Sequence, residues 1–311
     1  MNTKLMFKTI TAVAILLVTY ALANAQTNRT WVSGVGSDSN PCSRIAPCRT
    51  FNAAISLTNA GGEIDVLDPG DFGAVTITKS ISIEARSIAG VLVSGTDAIV
   101  VSAPAGSFVV LRGLTIDGIG TGLAGIRFLA GGSLQIDDCT INNFTNPGVE
   151  FAPNQATASK LIIKDTKIRN GSGPTASGVH VAPIGGGFAT AMIDNVLVEN
   201  CTTGFRVEDN GSVVIRHSIA DNNAFNGFLV LSNTGATATM TLNDSVLTNN
   251  GINGVKVQGY NASAFIGGNL IRGNAIGGFS IGGGAQIFTT GDNSNLDPVN
   301  VGSLQPVTAK Q

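Results

Sequence analysis

A glycine, an apolar residue, an outward residue and a second apolar residue recur seven times in this chain. The copies are Gly125-Ile126-Arg127-Phe128, Gly148-Val149-Glu150-Phe151, Gly178-Val179-His180-Val181, Gly204-Phe205-Arg206-Val207, Gly227-Phe228-Leu229-Val230, Gly254-Val255-Lys256-Val257 and Gly278-Phe279-Ser280-Ile281. Their glycines step by 23, 30, 26, 23, 27 and 24 residues. A short strand returning at a loose period of about 25 residues predicts a solenoid, because so small a unit buries its apolar face only by stacking on the next.

A second motif precedes each glycine strand: an apolar residue, usually Asp or Asn two positions later, and another apolar residue five positions on. It runs Leu111 to Ile116, Ile136 to Ile141, Ile163 to Ile168, Ile193 to Val198, Ile215 to Ala220, Leu242 to Leu247 and Ile266 to Ile271. Period-two alternation on both sides of a short bend predicts two strands meeting at a corner. With the glycine strand this makes three strands per coil. The corner column is Gly113, Asp138, Asp165, Asn195, His217, Asp244 and Gly268, and a second polar column is Gly118, Asn143, Asn170, Asn200, Asn222, Asn249 and Gly273. Asn and Asp suit such bends because they bond nearby backbone and tolerate left-handed conformations. An outward column, Arg112, Asp137, Lys164, Asp194, Arg216, alternates strictly in sign and predicts a ladder of cross-strand ion pairs.

Charged residues are only 12% of the 311-residue chain, and 40 residues are glycine, a balance that favours an all-β solenoid over an α/β enzyme. Residues 1–25 have the pattern of a secretory signal peptide: Lys4 and Lys8, an apolar run from Ile10 to Leu22, then Ala23-Asn24-Ala25. The remainder holds 16 basic against 20 acidic residues, which offers no basic footprint for nucleic acid. It also contains no further apolar run long enough to span a bilayer. The expected product is exported (periplasmic, cell-surface or extracellular) and monomeric.

Cys42 and Cys48 flank a turn holding Pro41 and Pro47, and an oxidising export route predicts a disulfide between them. Cys139 and Cys201 occupy different repeat positions and are expected as buried free thiols. Phe51, Ala54 and Leu57 have helical spacing behind a capping Thr50, which predicts one short helix over the open end of the first coil. The expected organisation is a signal peptide over 1–25, an N-terminal cap over 26–61, the coil over 62–290 and a C-terminal tail or cap over 291–311. Gly120-Thr121-Gly122-Leu123-Ala124-Gly125 matches a dinucleotide fingerprint but opens a strand rather than a helix, so it offers no phosphate site.

The repeat resembles that of right-handed parallel β-helix proteins, the pectate-lyase-like superfamily. The stretch Trp31-Val32-Ser33, Asn40-Pro41-Cys42, Ala46-Pro47-Cys48-Arg49-Thr50-Phe51 and Gly61-Gly62-Glu63-Ile64 resembles the opening of a group of exported bacterial β-helix proteins of undefined activity. The fold this implies is a single-domain, all-β, right-handed parallel β-helix of nine or ten coils with an N-terminal capping helix.

Pectinase-like relatives carry catalytic groups on the glycine-strand sheet, so the resemblance directs attention to its outward column: Arg127, Glu150, His180, Arg206, Leu229, Lys256 and Ser280, with Glu208 beside it. His180, Arg206 and Glu150 are the candidate catalytic residues. A lyase needs a base to take the proton beside a carboxylate, here His180, and a cation to hold the enolate, here Arg206 or Arg127. Arg127, Glu208 and Lys256 are the candidate ligand-binding residues. The same alternation of sign around His180 is also what stacked strands favour on structural grounds alone.

Calcium is not indicated and no metal site is expected, because Glu150 is the only carboxylate in the central column and a hard cation wants several. The Gly-His-Gly and Arg-Ile-Lys segments of polygalacturonase-like hydrolases are absent. Glu150 and Glu208 should stand about 12 Å apart between Cα atoms, a poor match to the roughly 6.5–9.5 Å between carboxyl groups of an inverting pair. Exposed aromatic residues are expected only at Trp31 and Tyr260. These features favour an exported, non-catalytic protein that binds or scaffolds at the cell surface, on polysaccharide. Two alternatives stay open: a polysaccharide lyase, hydrolase or epimerase with its site on the glycine-strand sheet, and a purely structural or adhesin-like protein.

Overall fold

The computed structural model describes residues 26–307. The predicted signal peptide lies outside the described residues. The chain winds as a parallel β-solenoid of about nine turns, with three strands in each regular coil. One such coil consists of Ser159–Lys164, Lys167–Arg169 and Ser177–Val181. Each strand pairs in parallel with its counterpart one coil away: Leu161 with Ala191, Ile168 with Val198, and Val179 with Phe205. The seven glycine strands lie in a separate sheet of ten, completed by Val75–Ile77, Ile99–Ser102 and Val299–Val301.

The two polar columns mark the corners. Asp138, Asp165, Asn195, His217 and Asp244 have φ between 47° and 55°, and Asn143, Asn170, Asn200, Asn222 and Asn249 between 51° and 62°. Residues that tolerate the left-handed region thus turn the chain twice per coil. Gly118 departs from the expected column. In that coil the register shifts, and the turn moves to Ile119 (φ 44°) and Gly120 (φ 82°).

The recurring glycine answers a different demand, the absence of room. A Cβ on Gly125 would lie 2.5 Å from both the Gly148 carbonyl oxygen and Ile141 Cγ2, and one on Gly178 would lie 2.2 Å from Val198 Cγ1. The glycine strand therefore starts where it presses against both the next coil and the strand before it.

Inward residues fill the coil in stacked columns. Phe128 stacks on Phe151 with ring centroids 4.4 Å apart, and Phe205 on Phe228 at 4.8 Å. Polar ladders also run inside. Asn223 Nδ2 donates to Asn250 Oδ1 (2.9 Å), and Asn250 Nδ2 to Asn274 Oδ1 (2.8 Å). The same carbonyl oxygens accept backbone N–H groups, so each buried corner is satisfied along the axis. Cys201 occupies the position of Asn223 one coil earlier, its N–H donating to Asn223 Oδ1 at 3.0 Å, whereas Cys139 lies at the other corner, where its N–H donates to Thr166 Oγ1 at 3.3 Å. Both are buried free thiols, and burial pushes each up to about 11.

At the N-terminal end, Cys42 and Cys48 form a disulfide. Its loop is tied to the first strand, Thr27–Val32, by bonds from Trp31 N to the Cys42 carbonyl (2.8 Å) and from Cys48 N to the Trp31 carbonyl (3.0 Å). The helix Phe51–Leu57 starts at Thr50, whose Oγ1 accepts from Ala53 N at 3.1 Å. It buries Phe51, Ala54 and Ile55, while Leu57 is only partly buried. Beyond Gly291 the strands Ser294–Asn295, Val299–Val301 and Gln305–Pro306 continue the three ladders. Among the described residues, no helix is long and apolar enough to cross a membrane.

Candidate functional site

The outward column of the glycine-strand sheet has the predicted register. Arg127 pairs with Glu150, Glu150 with His180, His180 with Arg206, Arg206 with Leu229, Leu229 with Lys256, and Lys256 with Ser280. Alternation along each strand turns these side chains away from the packed interior.

The column divides into two charged groups. In the first, Arg127 Nε lies 2.8 Å from Glu150 Oε2 and 3.3 Å from Asp97 Oδ2. The sequence pattern misses Asp97, because its coil carries Ala98 where the later coils carry glycine. In the second group, Glu208 Oε1 lies 3.2 Å from His180 Nε2 and 2.5 Å from Arg206 Nη2. Its Oε2 accepts from Asn233 Nδ2 at 3.3 Å. Asn233, also missed, comes from a turn two coils beyond His180, and no local motif marks it. Glu208 itself enters from the end of the strand Thr203–Val207, and its backbone N–H donates to the Val181 carbonyl at 2.9 Å.

The Glu208 carboxyl is held below the usual carboxylate range. The main cause is its bond to His180, with Arg206 contributing and burial opposing. Glu150, grouped with His180 from the sequence, is in register with it but binds Arg127 instead. Leu229, expected as an exposed member, is buried and separates Arg206 from Lys256. Lys256 makes no ion pair among the described residues.

A calcium ion does not fit this column, since its single carboxylate is engaged by Arg127. Among the described residues, no group of three or more His, Cys, Asp or Glu is placed to hold a metal. The expectation about aromatic residues needs correction. Tyr260 is exposed, but so are Phe108, Phe188, Phe225 and Phe265, on loops and outer faces where the glycine-strand periodicity says nothing.

The sign-alternating column on the neighbouring sheet extends to Glu84. Arg112 lies 3.1 Å from both Glu84 and Asp137, and Arg216 lies 3.5 Å from Asp194. His217, at the corner, bonds Asp194 through Nδ1 at 2.8 Å. Lys164 stands in register between Asp137 and Asp194, yet forms no ion pair within 4.0 Å among the described residues.

A family model described as a right handed beta helix region matches residues 89–276. Among solved structures, the chain resembles the pectate lyase Pel9A, with 18% identity, a TM-score of 0.62, and coverage of 85% of this chain and 74% of that one. It also resembles the PL6 family alginate lyase AlyGC, with 13% identity, a TM-score of 0.59, and coverage of 87% and 40%. An alginate lyase from Paenibacillus sp. str. FPU-7 matches with 17% identity, a TM-score of 0.51, and coverage of 83% and 99%. At these identities the likeness is one of fold. No curated protein is similar to the chain in sequence.

Proposed function

The chain belongs to the right-handed β-helix family, and from that premise we propose that it is an exported protein that binds a polysaccharide along its glycine-strand sheet without cleaving it. The observation that carries this reading is the mutual neutralisation of the column. Arg127 is engaged by Asp97 and Glu150, and Arg206 by Glu208. A lyase needs a cation free to hold the enolate, and both candidates already serve carboxylates. Such a column still offers hydrogen-bond donors and acceptors to sugar hydroxyls, and Lys256 adds a charge free for an acidic unit. The solved structures that the chain resembles are named as pectate and alginate lyases, which supports a polysaccharide ligand. Residues 1–25 would direct export, consistent with the Cys42–Cys48 disulfide. The helix Phe51–Leu57 would close the N-terminal end of the stack, and the last strands would close the other.

One observation favours a lyase as the second reading. The His180 ring is held at 3.2 Å by the Glu208 carboxylate, as a general base is held by an orienting acid. The test is a panel of acidic and neutral polysaccharides incubated with the purified protein, with and without calcium, following unsaturated-uronate absorbance, reducing ends and binding. Binding without turnover, weakened in Lys256→Ala, is the expected result. Turnover abolished in His180→Ala and Arg206→Ala would establish the lyase instead. Neither binding nor turnover would leave a structural role.

A further inference from the structure

A pocket of about 170 Å³ lies at the N-terminal end of the stack, outside the glycine-strand column. It is lined by Arg29, Trp31, Arg44, Asp65 and Arg86, with Val66 and Leu67. Three guanidinium groups against one carboxylate leave these residues with a balance of +2. The charges are not equivalent. Arg29 pairs with the buried Asp65 carboxylate through Nε, and its Nη2 lies 3.1 Å from Glu63 Oε1. Its guanidinium also sits 5.7 Å from the centre of the Trp31 ring. Arg44 and Arg86 are exposed, and among the described residues neither makes an ion pair or a side-chain hydrogen bond.

These two free guanidinium groups come from positions that the fold fixes independently. Arg44 sits in the Cys42–Cys48 disulfide loop, which brackets Trp31 through two backbone bonds. Arg86 sits at a coil corner with φ 49°, followed by Ser87 at 63°, whose hydroxyl donates to Asp138 Oδ2 at 3.0 Å. Left-handed φ is uncommon for such residues, and here it is held by the corner and by a bond to a later coil. Two like charges are thus brought to one pocket whose lining carboxylate, Asp65, is already engaged by Arg29. An oxyanion entering between them would relieve their repulsion and accept charge-assisted hydrogen bonds from both.

We propose that this pocket binds a compact oxyanion, carboxylate or sulfate, with Arg44 and Arg86 as its donors and Trp31 beside the group that carries it. The site is independent of the reading given for the glycine-strand sheet, and either can fail without the other.

Trp31 is the only tryptophan of the chain, so its emission reports on this pocket alone. The full exported chain is titrated with sodium sulfate, with acetate and with trigalacturonate, each against sodium chloride at matched ionic strength, by fluorescence and by calorimetry. The expected result is a saturable change in Trp31 emission, with affinity reduced about tenfold in Arg44→Gln and again in Arg86→Gln. Lys160→Ala, an exposed change on the strand Ser159–Lys164 outside both sites, leaves it unchanged. Tighter binding of trigalacturonate than of the small anions assigns the site to an acidic glycan, and equal binding assigns it to a free oxyanion. The proposal is overturned if neither method detects saturable binding above chloride, or if both arginine variants bind as the parent does.

Discussion

Nε2 of His180 stands 3.2 Å from Oε1 of Glu208, a contact that crosses one coil and joins residues 28 apart in sequence. It depresses the Glu208 carboxyl, with help from Arg206 and against burial. A depressed carboxyl contributes stability above its unfolded value, about 4.3, and loses that contribution as pH falls through the folded value. Glu208→Gln is therefore expected to be less stable than the parent at pH 7, and the gap is expected to close toward pH 3. Urea midpoints across that range check it. A gap that stays constant or widens on acidification would sink the linkage.

Asn250 bonds in four directions inside the stack: it accepts from Asn223 N and Asn223 Nδ2, and donates to the Ala220 carbonyl and to Asn274 Oδ1. Asn250→Ala strands those partners in a dry interior. Each unsatisfied buried group costs about 1–3 kcal/mol, so a loss of at least that size is expected. Chemical unfolding should show a lower midpoint at an unchanged slope. A shift under about 0.5 kcal/mol, the level of an ordinary surface substitution, would contradict the role given to the ladder.

The thiols of Cys139 and Cys201, both raised to about 11, should be silent toward a thiol reagent at pH 8. Both react once the chain is unfolded in denaturant. A count of reacted thiols in the native and denatured protein checks this, with zero and two expected. Rapid native labelling of either would mean that its corner opens.

Gly178→Ala places a methyl 2.2 Å from Val198 Cγ1 and 2.9 Å from the Gly204 carbonyl oxygen. Overpacking of this kind costs about 1–3 kcal/mol. Ala98 occupies the equivalent column position in an earlier coil and is fully buried, so the stack accepts a methyl there. Thermal unfolding of Gly178→Ala and of Ala98→Gly should therefore differ, with the larger fall in Gly178→Ala. Equal changes would show that the glycine column does not report close approach.

The features legible in the sequence are those that repeat. Glycine spacing and paired apolar positions predicted three ladders and the register of the outward column from Arg127 to Ser280, and a coil-to-coil period suffices to align them. The corner residues were legible for the same reason, apart from Gly118, where three additional residues displaced the turn to Ile119. What the repeat could not give was side-chain choice within the column. Glu150 had two in-register neighbours of suitable charge, and only the folded geometry set it on Arg127. Asp97 and Asn233 were invisible because they stand on irregular turns. The inward asparagine ladder lay one residue from the predicted outer one, so Asn222-Asn223 and Asn249-Asn250 read as one polar signal where the structure has two opposite faces.

The alternating charges Glu84, Arg112, Asp137, Lys164, Asp194 and Arg216 occupy successive coils in strict register. A solenoid grows and shrinks by whole coils, and each coil meets only its neighbours. Loss or duplication of one coil within this stretch would set two like charges side by side, while an even number would restore opposite neighbours. The column thus acts as a parity rule on the history of the molecule: between Glu84 and Arg216, changes of length are tolerated best in pairs.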